Sequence, residues 1–438
     1  MERFGELCGR AAQALAQAGA APDAAVRSLL AALEYDRDGG PVAAAERARL
    51  LRAAASFVRL FQVAAPEAPG LVFLGGEIDA RLGAAGRLQR WSITGTGLTL
   101  RAAFESCVGE GVERLSLIAE AEDRVVPGML ADHAAGFEPM TLEALAAIVP
   151  ANERIDWLAG TRIGDGRPAL LPADLCLARD SATRGFAPPY PIGIGCAAGP
   201  SFDAAVLHAL LEAVERDAAC LWWQGGARGR LIRPQDAANA EAAGLLAALR
   251  RGREDRRTWL LDITTDLRIP CAAAVSSGAD GFGFACGTAA RATLRQAVRS
   301  ALLEMCQMEV AHDIVELKRR ESGEARFNDV DRAHLRRWGE VDTQACALLH
   351  PLPPEAASAD IEADSPAETL RQIAGRLAQR GIEAFAVDLT RLRFDIPVAR
   401  IIAPAMEKAS SGRAGARLKA MIDRTGGGES YTRGIPLM

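Results

Sequence analysis

The chain has 438 residues, 49% of them apolar and 24% charged, and its 51 Lys and Arg against 56 Asp and Glu leave a net charge of −5. That balance belongs to an ordinary folded protein; it excludes a disordered tail, a collagen or a disulfide scaffold, and it offers no strong basic field for nucleic acid. The nine cysteines form no CxxC and lie at no zinc-ligand spacing from a histidine, so they read as small buried thiols in a reducing cytosol.

The first segment, to about Val63, is Ala-rich and helical by pattern, as in Ala44 to Val63 with Leu50, Leu51, Phe57, Val58, Leu60 and Phe61. Ala14 to Ala21 is small and apolar, but Glu2, Arg3, Glu6 and Arg10 interrupt the core that a signal peptide needs. No run of about 18 apolar residues exists, so no membrane helix is expected and the protein is placed in the cytoplasm. Pro66 and Pro69 break any helix between Ala64 and Gly70, which predicts a linker and divides the chain into a helical extension over 1–68 and a main domain over 69–438.

Strands are predicted at Leu71 to Leu74, Trp91 to Ile93, Trp157 to Thr161 and Ala169 to Leu171, and later at Ala384 to Leu389 and Val398 to Ile402. Long apolar helices alternate with them at about 101–119, 202–223 and 289–311, with a further Ala/Leu helix over 237–250. Residues 318–366, with the charged run Lys318 to Glu321 and three prolines at 351, 353 and 354, are expected to form an exposed excursion. Gly426-Gly427-Gly428 predicts a mobile tail, although its apolar end, Ile435 to Met438, would gain by burial.

The three long helices share a pattern. The first reads Ser106-x-x-x-Glu110-x-x-Glu113-Arg114, the second His208-x-x-x-Glu212-x-x-Glu215-Arg216, and the third Ser300-x-x-x-Glu304-x-x-Gln307. At about 100° per residue, positions i, i+4 and i+7 form one narrow stripe. Glycines precede each helix: Gly95 and Gly97, then Gly193, Gly195 and Gly199, then Gly281, Gly283 and Gly287. From Gly97 to Glu110 and from Gly199 to Glu212 the spacing is 13 residues in both cases, which predicts a strand, glycine turn and helix repeated three times.

On an arbitrary helix Glu-x-x-Glu-Arg is a solvated face with a local ion pair. Here Leu207, Leu210, Leu211, Val214, Leu221 and Trp222 surround Glu212 and Glu215, and a helix apolar on nearly every side is buried. Buried carboxylates need a counter-charge. Oxygen-only ligands suit Mg2+, which ordinarily shares its coordination with phosphate, so a carboxylate-bridged Mg–nucleotide site is expected. No GxxxxGK[ST] loop is present. His208 reads as a core histidine, and Trp222-Trp223 as core or wall.

These stretches resemble the YcaO family: Gly95-Thr96-Gly97-Leu98 with the first helix motif, Ala197-Ala198-Gly199 with Leu211 to Asp217, and Ala301 to Gln307. So do Trp157 to Gly160, Leu171 to Ala173, Ile269-Pro270, Asp388 to Arg391 and Ile396 to Val398, which extends the likeness over about residues 70–410. The resemblance implies an α+β YcaO-type fold, with strand–glycine turn–helix units around a Mg–ATP site and a helical N-terminal extension. It implies that Glu110, Glu113, Glu212, Glu215 and Glu304 are metal or nucleotide ligands, and that Ser106, Arg216 and Gln307 contact ATP. It also implies ATP-dependent cyclodehydration, in which a Cys, Ser or Thr of a ribosomally made precursor peptide attacks the preceding backbone carbonyl. The amide oxygen is phosphorylated and a thiazoline or oxazoline results.

Relatives use the same ATP chemistry to make thioamides or amidines, and some are accessory factors in ribosomal-protein modification. Nothing in this chain reads as a leader-binding winged helix, so a separate leader-binding partner protein is expected. A flavin-dependent dehydrogenase in the same complex and a homodimer or hetero-oligomer are expected as well. Two departures stand out. Many members have Ser-Asn-Gly where this chain has Gly193-Ile194-Gly195, and peptide cyclodehydratases often end in Pro-x-Pro-x-Pro where this chain has Gly434-Ile435-Pro436-Leu437-Met438.

Overall fold

The chain begins with three helices, α1 (Phe4–Ala16), α2 (Ala24–Ala32) and α3 (Gly40–Ala55), as its alanine content predicts. The computed structural model describes residues 4–16, 22–37, 39–82, 88–233, 235–354, 360–408 and 412–437. Cys8, Ala11 and Ala12 of α1 and Ala48, Leu51 and Ala54 of α3 are buried between these helices, where small side chains let the backbones approach. The helix expected over 44–63 stops at Ala55, where the Ser56 hydroxyl donates to the Ala53 carbonyl. Residues Arg59–Val63 form strand β1 instead, paired antiparallel with Glu77 to Phe73 of β2 (Val72–Arg81). Cross-strand pairing outweighs the helical pattern of this short segment. The linker at 64–70 is also packed: the Gly70 N–H donates to the Leu249 carbonyl, and a Cβ on Gly70 would meet the Ala248 oxygen at 1.9 Å.

β3 (Leu88–Gly97) completes the first antiparallel sheet, in the order β1-β2-β3. Helix α4 (Leu100–Ser116) follows, then β4 (Val125–Gly128), the short α5 (Leu130–His133), α6 (Pro139–Ala146), the hairpin β5 (Ile155–Arg162) and β6 (Pro168–Pro172), and α7 (Ala173–Cys176). After β7 (Cys196–Ala198) come α8 (Phe202–Trp223) and α9 (Ala237–Arg250). β8 (Arg257–Asp262), β9 (Cys271–Ser277) and β10 (Ala285–Ala290) make the second antiparallel sheet. It is followed by α10 (Leu294–Ser322), α11 (Asp329–Glu340) and α12 (Pro366–Ala378). β11 (Phe385–Asp388) and β12 (Val398–Ile402) enter a third, six-stranded sheet, β4-β5-β11-β12-β7 with β6 beside β5, before α13 (Ala416–Thr425) and α14 (Glu429–Thr432). No helix among the described residues is long and apolar enough to cross a membrane.

Each long helix lies on a strand that precedes it, α4 on β3, α8 on β7 and α10 on β10, and α8 also packs on the later β12. Their starts share one device. Thr99, Ser201 and Thr293 accept from the N–H groups of Ala102, Ala204 and Gln296, capping α4, α8 and α10. Gly95, Gly97, Gly199 and Gly287 serve contact rather than turning, whereas Gly195 has a φ of +78°. Gly95 and Gly97 lie within β3 and Gly287 within β10, where a Cβ on Gly287 would meet the Ala301 oxygen and Met305 nitrogen at 2.3 Å. Gly281 and Gly283 belong to the β9–β10 connection, with φ of +91° and +73°.

The exposed excursion over 318–366 is corrected. The charged run lies in the last turns of α10, α11 packs on α10, and Leu348 and Leu349 are buried. His208 is exposed on α8 rather than in the core. Trp222 and Trp223 are core: their indole N–H groups donate to the Leu348 and Ile435 carbonyls, and Trp223 stacks on Phe284. All nine cysteines are unpaired, eight of them buried.

The glycine tail is docked. The Gly428 N–H donates to the Gln224 carbonyl, and Ile435 and Leu437 are buried in the core around Trp223, while Met438 lies outside the described residues. Burial of the apolar end outweighs the flexibility that three glycines confer.

The helix–strand contact predicts opposite outcomes for two glycines. Gly287→Ala forces a methyl into backbone and should destabilise the protein by about 1–3 kcal/mol. Gly244→Ala, in α9 with nothing within 4 Å of the new Cβ, should stabilise by about 0.5–1 kcal/mol. Urea midpoints of the two variants check both.

Candidate nucleotide and metal site

The carboxylates of α4, α8 and α10 meet where β3, β7 and β10 run beneath these helices. Glu110, Glu212 and Glu304 each follow their helix's capping residue by the same eleven positions, and each accepts from a backbone N–H lying upstream. The Glu110 Oε2 accepts from Thr94 N at 2.7 Å, Glu212 Oε2 from Gly195 N at 3.0 Å, and Glu304 Oε2 from Thr288 N at 2.7 Å. Bonds of this kind fix where each carboxylate points.

The second residue of each pattern links one unit to the next. Glu113 of α4 accepts from Ala198 N of β7 at 2.8 Å. Glu215 of α8 accepts from the Thr288 hydroxyl of β10 at 2.9 Å. Gln307 of α10 donates to the Thr94 hydroxyl of β3 at 3.2 Å, and that hydroxyl donates to Glu110 at 3.0 Å. The contacts close a ring from α4 to α8 to α10 and back. Arg216 lies inside it, 3.6 Å from Glu212 and 3.7 Å from Glu215, and Arg114 flanks it at 2.7 Å from Glu110.

Seven of the eight residues singled out by sequence thus stand together. Ser106 is exposed one turn before Glu110, and its hydroxyl makes no hydrogen bond among the described residues. Thr94 and Thr288 were missed. Their signal is a threonine beside the contact glycine, Thr94-Gly95 and Gly287-Thr288, sixteen residues ahead of the glutamate it holds. The backbone donors of Gly195 and Ala198 carry no side-chain signal at all.

The electrostatics are those of crowded acids. Burial pushes the Glu113 carboxyl up to about 8 against the pull of the Ala198 N–H, with Glu212 and Glu110 adding to the rise. Glu212, Glu215 and Glu304 are raised as well, by burial first, with Arg216 opposing. Burial works against the Arg216 charge, yet Glu215, Glu212 and Glu304 outweigh it and hold the guanidinium above its usual range. Among the described residues no three His, Cys, Asp or Glu side chains are gathered closely enough to hold a metal by themselves. The set is hard, anionic and oxygen-only, with Glu113, Glu215 and Glu304 each keeping one oxygen that takes no hydrogen bond among the described residues. Such a set fits cations whose remaining ligands arrive on a phosphate-bearing molecule.

A pH effect follows for the metal-free protein. Between the ordinary glutamate range and about 8, folded Glu113 holds a proton that the unfolded chain has released. The folded state then binds more protons, so stability falls as pH rises through this window. The melting temperature in EDTA should drop between about pH 5 and 8 more steeply for the wild type than for Glu113→Gln. Calorimetric scans across that range check it, and equal slopes contradict it.

A family model described as YcaO cyclodehydratase, ATP- and Mg2+-binding, matches residues 94–407. An uncharacterised protein in the tfuA 3′ region of Rhizobium leguminosarum bv. trifolii is 28% identical over 340 residues, 73% of this chain and 77% of its own. Among solved structures, a heterocyclase in complex with substrate and cofactor superimposes with a TM-score of 0.67 at 21% identity, over 84% of this chain and 52% of its own. The chain therefore spans about half the length of that heterocyclase. YcaO from Methanopyrus kandleri, bound with AMPPCP and Mg2+, gives 0.58 at 21% identity over 84% and 91%. The E. coli microcin synthetase McbBCD complex gives 0.53 at 14% over 75% and 88%. The structural likenesses show a shared fold; the family model, matching most of the chain, shows more, and this protein belongs to the ATP- and Mg2+-binding YcaO family.

Proposed function

We propose that this protein is an ATP-dependent cyclodehydratase subunit that activates backbone amides of a ribosomally made precursor peptide. The observation that carries the reading is the closed ring of five glutamates around Arg216, each held by the protein through at least one oxygen. Glu110, Glu113, Glu212, Glu215 and Glu304 would hold the nucleotide's Mg2+, which supplies charge neutralisation at the phosphates. Arg216 would reach the phosphates from within the ring, Gln307 would position Thr94 and Glu110, and Ser106 would contact the nucleotide from its exposed face on α4.

The chemistry asks for little beyond positioning. A Cys, Ser or Thr side chain of the peptide releases its thiol or hydroxyl proton as it adds to the preceding carbonyl carbon, and the former amide oxygen takes the γ-phosphoryl group of ATP. Phosphate then departs as the C=N bond forms and the amide proton is lost, leaving a thiazoline or oxazoline and ADP. A partner that binds the precursor's leader would present the peptide, and a flavin-dependent dehydrogenase would oxidise the ring. The neighbouring McbBCD complex has also been seen with pro-MccB17 bound, which supports a multi-protein assembly of this kind.

A second reading, thioamide or amidine formation on the same ATP site, is favoured by one observation. Ile435 and Leu437 are locked into the core around Trp223, so the apolar segment that holds Pro436 is anchored there. Product mass separates azoline from thioamide, loss of one water against exchange of oxygen for sulfur.

Glu212→Ala and Glu215→Ala should each lower ATP hydrolysis by about a hundredfold or more while leaving the fold largely intact, because a metal-holding carboxylate is lost and like-charge repulsion is relieved. Phosphate release and melting curves of both variants check this. Near-normal turnover by the two would sink the site and favour an accessory role without chemistry.

A further inference from the structure

A second concavity lies apart from the carboxylate ring. It is a cleft of about 1190 Å3 bounded by the end of α8, the segment 226–233, residues 262–268 beyond β8, and α13. Seven arginines and four aspartates of the described chain line it, in a protein whose net charge is −5. Positive charge is therefore concentrated here against the overall balance.

Part of that charge is already answered. Arg417 pairs with Asp217 at 2.9 Å and Asp266 at 2.8 Å, and Arg380 lies 3.5 Å from Asp266. Arg228, Arg268 and Arg424 have no carboxylate partner among the described residues. Arg228 donates to the His350 carbonyl, and its Nε is buried without a bond. Leu221, Trp222 and Met421 supply an apolar wall beside these cations.

We propose that this cleft binds an acidic, extended segment of the peptide substrate, an inference that rests on the amide-activating reading of the carboxylate ring. Its volume exceeds the roughly 300–1,000 Å3 of ordinary small-molecule pockets, as an extended chain requires. Guanidinium groups are matched to carboxylates, which they take in a two-pronged bond. The interleaved aspartates disfavour a continuous phosphodiester chain but accept from peptide N–H groups. The position suits a substrate: Ala218 lines the cleft one helical turn beyond Glu215, and Leu294, the first residue of α10, lines it too. Two helices that carry the ring thus also wall the cleft.

The test uses the full-length protein and fluorescence anisotropy with a short labelled peptide carrying evenly spaced glutamates. A peptide with lysines in their place and a single-stranded oligonucleotide serve as counter-probes. The wild type should bind the glutamate peptide about tenfold or more tightly than the lysine peptide, with affinity falling as salt rises. Combining Arg228→Glu, Arg268→Glu and Arg424→Glu should remove that preference, and the matching glutamine triple should weaken it in the same direction. Equal binding of the two peptides, or unchanged binding by both triples, overturns the proposal, as does tighter binding of the oligonucleotide at the cleft. Mg–ATP binding measured by calorimetry on the same samples keeps the two inferences apart. Its absence in the wild type overturns the functional reading, and its presence without peptide discrimination overturns the cleft alone.

Discussion

Five glutamates share one small region, and holding them there is the constraint around which this molecule is built. Like charges brought out of water repel and lose hydration, and each can stay only if something donates to it. The donors are mainly backbone N–H groups of strands that lie beneath the helices, joined by the hydroxyls of Thr94 and Thr288. Backbone donors cannot rotate away. The sheets thus fix where each carboxylate points, with Arg216 at 3.6 Å from Glu212 and 3.7 Å from Glu215.

That arrangement explains details that otherwise look unrelated. The strand must lie against its helix at van der Waals distance for its N–H to reach a glutamate eleven positions past the cap. Gly95, Gly199 and Gly287 are the places where a side chain would prevent it, because each would drive a methyl into helix backbone. The caps Thr99, Ser201 and Thr293 set the start of each helix, and so set the angular position of the stripe. Shifting a cap by one residue would turn the carboxylates by about 100°, away from their donors.

Much of this was legible in sequence because a helical stripe is a local pattern. Glu110 and Glu113, Glu212 and Glu215, and Glu304 and Gln307 declare their faces through spacing alone, and the apolar neighbours of Glu212 and Glu215 declare burial. What was not legible depends on partners distant in the chain. The glycines read as turns because glycine has two uses, conformational freedom and absence of a side chain, and only the packed helix shows which applies. Arg59 to Val63 reads as helix until β2 offers a ladder to pair with. The last glycines read as flexible until Ile435 and Leu437 find the core around Trp223. Ring closure itself, with Gln307 reaching Thr94 across more than two hundred residues, has no local signature.

Helix α8 carries the consequence furthest. One stretch of it presents Glu212, Glu215 and Arg216 to the ring, and the next, from Ala218 to Trp222, walls the cleft. Between them sits Asp217, with no exposure to solvent, which accepts from Arg417 of α13 through both carboxylate oxygens, at 3.0 and 2.9 Å, and from Glu407 N at 2.9 Å. A buried pair of this kind is weak evidence of stability, since desolvation offsets much of its attraction. Its value is positional. Arg417 also reaches Asp266 on the far wall, so a single guanidinium ties α13 and the cleft rim to the residue that follows Arg216. Any movement of α8 that repositions the carboxylates must carry the cleft wall with it, and the geometry of one site is thereby set by the same helix, in the same register, as the geometry of the other.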